Sequence, residues 1–130
     1  MYHQLPPVHV LIVDDTPEIL EVVTRMLESH GARVTAVGTA ERALDLLERL
    51  RPDVLLSDLE MPVKDGYWLI GRVRALSPDL GGLTPAACLT GRSDPADRAR
   101  ILRAGFQYHI AKPVEMSRLI GVVGLLALKP

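Results

Sequence analysis

A single cysteine, Cys88, is all that this chain of 130 residues carries. One thiol cannot form an internal disulfide, so a disulfide-stapled scaffold is excluded, and Cys88, inside the apolar run Ala86 to Leu89, reads as a small buried hydrophobe. Aromatic residues are scarce at 4%, which leaves Leu, Val, Ile and Ala to build the core. Neither sign of charge dominates: 15 Lys and Arg stand against 16 Asp and Glu. That balance argues against a general nucleic-acid or membrane-surface binder, which carries a basic excess. No run approaches the ~18 apolar residues of a membrane span. Met1 to Pro7 lacks a basic segment followed by an apolar one, so it is not read as a signal peptide. The expected location is cytoplasmic, without membrane insertion.

What the chain does have is 48% hydrophobic residues, enough for one domain core and too many for disorder. Short apolar runs alternate with amphipathic helical patterns five times. The strand candidates are Val8 to Val13, Arg33 to Val37, Val54 to Leu56 (ending in Ser57 and Asp58), Ala86 to Leu89 and Tyr108 to Ala111. Thr16, Thr39 and Asp94 are placed to open helices, with Pro17 and Pro95 at first helical positions. The first helix is expected to turn Ile19, Val23, Met26 and Leu27 inward, and the second Ala43, Leu46, Leu47 and Leu50. The third uses Leu69, Val73 and Leu76, followed by a Gly/Pro-rich loop to Pro85. The last helix is expected from about Val114 to Leu126. Regular βα alternation with near-continuous apolar strands predicts an α/β fold, a parallel sheet covered on both faces.

In such a sheet, ligands bind beyond the carboxyl ends of the strands. Asp14 and Asp15 stand there after strand one, Asp58 after strand three, Thr90 after strand four, and Lys112-Pro113 after strand five. Two carboxylates ~4 Å apart repel by about 4 kcal/mol at an effective dielectric of ~20. Clustered acids therefore need cations. Lys112 is one, and an oxygen-only donor set without His or Cys points to Mg²⁺ for the rest.

The chain resembles the receiver domains of two-component response regulators. The resemblance rests on V-D-D (Val13 to Asp15), D-L-E-M-P-V-K-D-G (Asp58 to Gly66), L-T-G (Leu89 to Gly91) and A-K-P (Ala111 to Pro113), in that order and spacing. It covers essentially Val8 to Leu126, so one receiver domain is expected over residues 8–126, with tails at 1–7 and 127–130. It implies a flavodoxin-like (βα)5 sheet of order 2-1-3-4-5. It also implies that Asp58 is the nucleophile that becomes an aspartyl phosphate. Asp15 and Asp58 are implied as direct Mg²⁺ ligands, Asp14 mainly through water, and Glu60 through its backbone carbonyl. By the same resemblance Lys112 pairs with Asp58 and the phosphoryl group, and Thr90 moves to bond a phosphoryl oxygen. The Lys112–Pro113 peptide is expected to be cis, and Pro62 and Gly66 shape the turn after the acceptor. The implied partner is a histidine kinase or a histidine phosphotransfer protein, with the phosphorylation read out as a population shift.

Three positions depart from or qualify that pattern. His109 stands where the family usually carries Tyr or Phe. It can swing inward as a switch residue with a pH-dependent charge, or it is simply a partly exposed strand histidine. Gly91 replaces a small residue, commonly Ala, and widens access to the phosphoryl site. Glu60 and Arg92 stand where the family tunes dephosphorylation, or they pair weakly across the pocket. His3, His9 and His30 lack partners at metal-ligand spacing and read as surface or core residues. The arginines 92, 98, 100 and 103, interleaved with Asp94 and Asp97, read as a solvated face, and nothing in the chain reads DNA.

Leu119 to Leu128 is apolar around most of a helix, which suggests a homodimer or interdomain contact through helix five, or a wide face buried on the first helix. The Leu5-Pro6-Pro7 lead-in and the run Gly105 to Pro113 look like receivers attached to hybrid sensor histidine kinases. The expected module, with no output domain after Pro130, is either excised from such a protein or a stand-alone shuttle. Two rivals remain. One is a Mg²⁺-dependent phosphatase with an Asp nucleophile, for which Glu60 would be the acid/base group but no cap domain is seen. The other is a receiver-like module that works unphosphorylated, which the retained Asp58, Thr90 and Lys112 argue against.

Overall fold

The computed structural model describes residues 4–128; His3 lies outside them. Five strands, β1 (His9–Val13), β2 (Arg33–Val37), β3 (Val54–Asp58), β4 (Ala86–Thr90) and β5 (Tyr108–Ala111), alternate with five helices, α1 (Pro17–Glu28), α2 (Ala40–Leu50), α3 (Gly66–Arg74), α4 (Pro95–Ala104) and α5 (Met116–Leu126). All pairings are parallel, in the order β2-β1-β3-β4-β5. The sheet order and the alternation are those expected.

Side chains on successive strand residues point to opposite faces, and the core divides accordingly. Val10, Ile12, Val54, Leu56, Leu89 and Ile110 pack with Val23 and Leu27 of α1 and with Leu119, Val122 and Val123 of α5. Leu11, Val13, Leu55 and Cys88 pack with Ala43 and Leu47 of α2, Leu69, Ile70 and Val73 of α3, and Ile101 of α4. Each fully buried Leu or Ile contributes ~1.5–3 kcal/mol of transfer free energy. Burial pushes the Cys88 thiol up to about 12, so it behaves as the hydrophobe expected of it.

Several local expectations change. Thr39 and Asp94 accept from Arg42 N–H and Asp97 N–H as cap residues do, but the Thr16 side chain makes no cap bond. Ile19 N–H donates to the Thr16 backbone carbonyl at 3.1 Å, and Thr16 N–H itself donates to the Asp14 carboxylate at 2.9 Å. Leu50 is exposed rather than inward, because the helix ends there and Arg51 turns left-handed at φ 48°. The last helix begins at Met116, two residues after Val114, because Glu115 is still extended at the cap position. The Gly/Pro-rich loop holds a short 3-10 turn over Pro78–Leu80.

His9 and His30 are buried and partnered. His9 Nε2 lies 2.8 Å from Thr35 Oγ1, and His30 Nδ1 lies 3.0 Å from the Met26 carbonyl. The apolar excess of α5 is largely spent inside, on Leu119, Ile120, Val122, Val123 and Leu126, with Leu5 of the lead-in packed beside Gly124. Leu125 and Leu128 stay exposed. Among the described residues no helix is long and apolar enough to cross a membrane.

Candidate functional site

Parallel register carries the polar residues to one rim. Val13 pairs with Ser57, Asp58 with Leu89, and Thr90 with Ala111, so the residues ending or following β1, β3, β4 and β5 stand side by side. The Lys112 N–H donates to the Thr90 carbonyl at 2.9 Å, which fixes where the lysine side chain starts.

Oxygens of Asp14, Asp15 and Asp58 lie within 4.8 Å of one another. Asp14 and Asp58 are buried and Asp15 is exposed. Lys112 Nζ donates to Asp58 Oδ1 at 3.1 Å and forms an ion pair with Asp14 Oδ2 at 3.2 Å. Asp58 Oδ1 also accepts from Glu60 N–H at 3.3 Å. Burial and the Asp14 charge together outweigh these donors and raise the Asp58 carboxyl to about 6. Burial alone would lower Lys112, but its bonds and charge interactions with Asp58 and Asp14 win, and its pKa is raised.

Three carboxylates against one ammonium leave a charge deficit that a divalent cation would fill. Asp14 Oδ2 is buried and faces the Lys112 ammonium at 3.2 Å without a well-directed hydrogen bond, which leaves room for a further partner of the kind buried oxygens normally have. The donors are all oxygens. The residues present therefore fit a hard cation such as Mg²⁺. The Glu60 carboxylate is not among those donors, because it is turned to Arg92 Nε at 3.1 Å with both side chains about two-thirds exposed (66%/64%). That is the cross-pocket pair, worth little in stability.

The remaining candidates fall around this core. Thr90 is buried, and its Oγ1 accepts from Arg92 N–H at 2.9 Å, which leaves its own proton free to be donated. Gly91 has open space where a side chain would stand. The Lys112–Pro113 peptide is cis, as expected. After Asp58 the chain makes a tight turn closed by Lys64 N–H to the Pro62 carbonyl at 2.8 Å, with Val63 at its centre in the left-handed region, φ 69°. Gly66 is required by space: a Cβ there would lie 2.3 Å from the Asp58 carbonyl oxygen.

His109 is paired in register with Cys88, so it lies on the α4 side of β5, half-buried. Burial, then Arg98 and Arg118, lower its pKa, and Arg118 donates to its carbonyl at 3.0 Å. A polar cleft of about 510 Å³ opens beside the residues that follow Asp58, walled by Glu60, Arg92, Tyr67 and Arg100. Arg100 is exposed, as a solvated face requires, and its guanidinium also stacks 4.0 Å from the Tyr67 ring centroid. Arg74 carries no sequence signal at all, yet it bonds the carbonyls of Gly82, Thr84 and Gly105.

Residues 10–124 match the family model described as response regulator receiver domain. An uncharacterized 14.6 kDa protein of Leptolyngbya boryana is 44% identical over 119 residues, covering 92% of this chain and 89% of that protein. The DNA-binding response regulator MtrA of Mycolicibacterium smegmatis is 32% identical, over 88% of this chain and 48% of its own length. The chain thus spans about half of that regulator. Among solved structures, a receiver domain of a sensor histidine kinase from Pseudomonas aeruginosa is 33% identical with a TM-score of 0.84, over 94% of this chain and 98% of that one. It was solved with a magnesium ion coordinated in its active site cleft. A response regulator from Chloroflexus aurantiacus superposes with a TM-score of 0.87 at 30% identity, over 95% of this chain and 100% of that one.

Proposed function

This chain belongs to the response regulator receiver domain family of two-component systems, and from that premise we propose that Asp58 is its phosphoacceptor, loaded from a phosphohistidine on a histidine kinase or phosphotransfer protein. The observation that carries the reading is the convergence of Asp58, Asp14, Asp15 and Lys112 on one rim, with Lys112 Nζ 3.1 Å from Asp58 Oδ1.

In the transfer, an Asp58 carboxylate oxygen attacks phosphorus, the P–O bond forms, and the P–N bond to the donor imidazole breaks with its electron pair passing to that nitrogen; the other ring nitrogen carries a proton, so the imidazole leaves neutral. The ionised carboxylate has no proton to lose. Asp14, Asp15, Asp58 and the Glu60 carbonyl would hold Mg²⁺, which supplies charge neutralisation between the carboxylate and the phosphoryl oxygens. Lys112 moves with the charge: it balances Asp58 before transfer and pairs with the phosphoryl oxygens afterwards. Thr90 Oγ1 carries the proton that a phosphoryl oxygen accepts. Gly91 leaves room for the phosphoryl group, and Pro62, Gly66 and the Lys112–Pro113 turn hold the frame.

The gain of negative charge at Asp58 biases the α4–β5–α5 surface, with His109 and Arg92 as the residues best placed to follow Thr90. The domain acts only on its own acyl phosphate, and it works in the cytoplasm within residues 8–126. Relatives that embed the same module in a hybrid kinase, such as hybrid signal transduction histidine kinase D of Dictyostelium discoideum, support the choice of partner class. The exposed Leu125 on α5 and Leu128 just beyond it support a homodimer or interdomain contact through this helix.

Intact mass after incubation with acetyl phosphate and Mg²⁺ tests the assignment. The expected result is a gain of one phosphate that hydroxylamine removes and that Asp58→Asn abolishes. A hydroxylamine-stable adduct would place the chemistry elsewhere.

A further inference from the structure

The helix next to the acceptor is held very unevenly. Only Ile101 of α4 is fully buried. At its C-terminal end, Gly105 adopts φ +124°, and a Cβ there would lie 2.9 Å from Arg74 Cγ. The Gly105 carbonyl accepts from Arg74 Nε at 3.0 Å and from Nη2 at 2.8 Å, while Nη1 of the same guanidinium donates to the carbonyls of Thr84 at 2.7 Å and Gly82 at 3.0 Å. One cation thus ties the end of α4 to α3 and to the loop before β4. Phe106, buried immediately beyond, adds packing to the same point.

The segment N-terminal to Ile101 has no such anchor. Residues 91–96 are all exposed, and Gly91 meets nothing within 4 Å of a would-be Cβ. Two weak ties cross the polar cleft: the Glu60–Arg92 pair, and the stack of Arg100 on Tyr67 of α3 at 4.0 Å. The segment is also wired to the acceptor, because Arg92 N–H donates to Thr90 Oγ1 at 2.9 Å. A Thr90 hydroxyl drawn towards a phosphoryl oxygen changes that bond, and the loop must follow.

We infer that α4 is a lever whose pivot is the Arg74 clamp on Gly105 and whose latch is the Arg100–Tyr67 stack. The inference rests on the phosphoacceptor reading for what pulls the lever, but the pivot and latch are properties of the unphosphorylated chain. Phosphorylation swings the segment N-terminal to Ile101 and leaves the C-terminal end in place. Tyr67, Arg74 and Arg100 are positioning residues, since none touches the acceptor.

Amide hydrogen exchange of the full chain, resolved into segments 92–100 and 101–106, tests this. Without phosphate, Tyr67→Leu and Arg100→Gln should each speed exchange in 92–100 by about two- to fivefold, the opening expected on loss of one exposed cation–π contact. The double variant should add nothing further, and 101–106 should not respond. With acetyl phosphate and Mg²⁺, the wild type should show the same asymmetry, and in Arg74→Lys the response should spread into 101–106. Arg100 is exposed, so Arg100→Gln reads the latch without risk to folding. Unchanged exchange in both latch variants, additive effects in the double, or a uniform response along α4 would overturn the lever. Intact mass on the same samples separates the two readings: absence of phosphate on Asp58 counts against the acceptor assignment, while the unphosphorylated comparison still decides the latch.

Discussion

Asp58 is held in a state that its own site makes costly. Its carboxyl is raised from 3.8 to about 6 by burial first, with the Asp14 charge adding to it. An acid whose folded-state pKa exceeds its unfolded value contributes stability below the unfolded value, and that contribution is lost as pH rises through about 6. Asp58→Asn should therefore stabilise the metal-free protein by about 1–3 kcal/mol at pH 8. The gain should shrink to a few tenths of a kcal/mol near pH 4, where the native carboxyl is protonated too. Urea denaturation at the two pH values checks this, and a gain independent of pH would contradict it. The acids, Thr90 and Lys112 were legible in the sequence because strand ends are where a parallel sheet collects ligands. Arg74 and the Tyr67–Arg100 stack were not. Their meaning comes from carbonyls and a ring brought close by tertiary packing, and no spacing along the chain encodes that.

Among the elements, the β3–α3 connection carries the tightest constraint. Gly66 opens α3 directly beneath the acceptor, where a methyl group would meet the Asp58 carbonyl oxygen at 2.3 Å and Leu59 Cα at 2.9 Å. Both obstacles are backbone, so Gly66→Ala must displace the acceptor's own peptide. We expect a loss of about 1–3 kcal/mol, in the range of other overpacking changes, together with slower phosphate incorporation. Denaturant unfolding and the acetyl phosphate time course measure the two effects, and a neutral result in both would contradict the steric account. Helix identities followed from apolar periodicity, but helix ends did not. Thr16 stands at the cap position without a side-chain bond, because Ile19 N–H donates to its backbone carbonyl at 3.1 Å, and Leu50 fell outside the core where the helix unwinds at Arg51.

At the scale of the molecule, the sheet is an apparatus for bringing distant residues together: Asp58 and Lys112 are 54 positions apart and their side chains meet at 3.1 Å. Alternating apolar runs made the parallel sheet readable and right-handed crossovers left few topologies; the order 2-1-3-4-5 came from the resemblance to receiver domains. How the switch leaves the site was less readable, because it depends on unequal anchoring of α4. Sodium borohydride reduction of the protein treated with acetyl phosphate and Mg²⁺, followed by peptide sequencing by mass spectrometry, is the most direct test of the whole account. Reduction of an aspartyl phosphate leaves homoserine. The account predicts homoserine at position 58, lost when EDTA replaces Mg²⁺; homoserine at position 14 or 15, or phosphate on a Ser, Thr or His side chain, would contradict it.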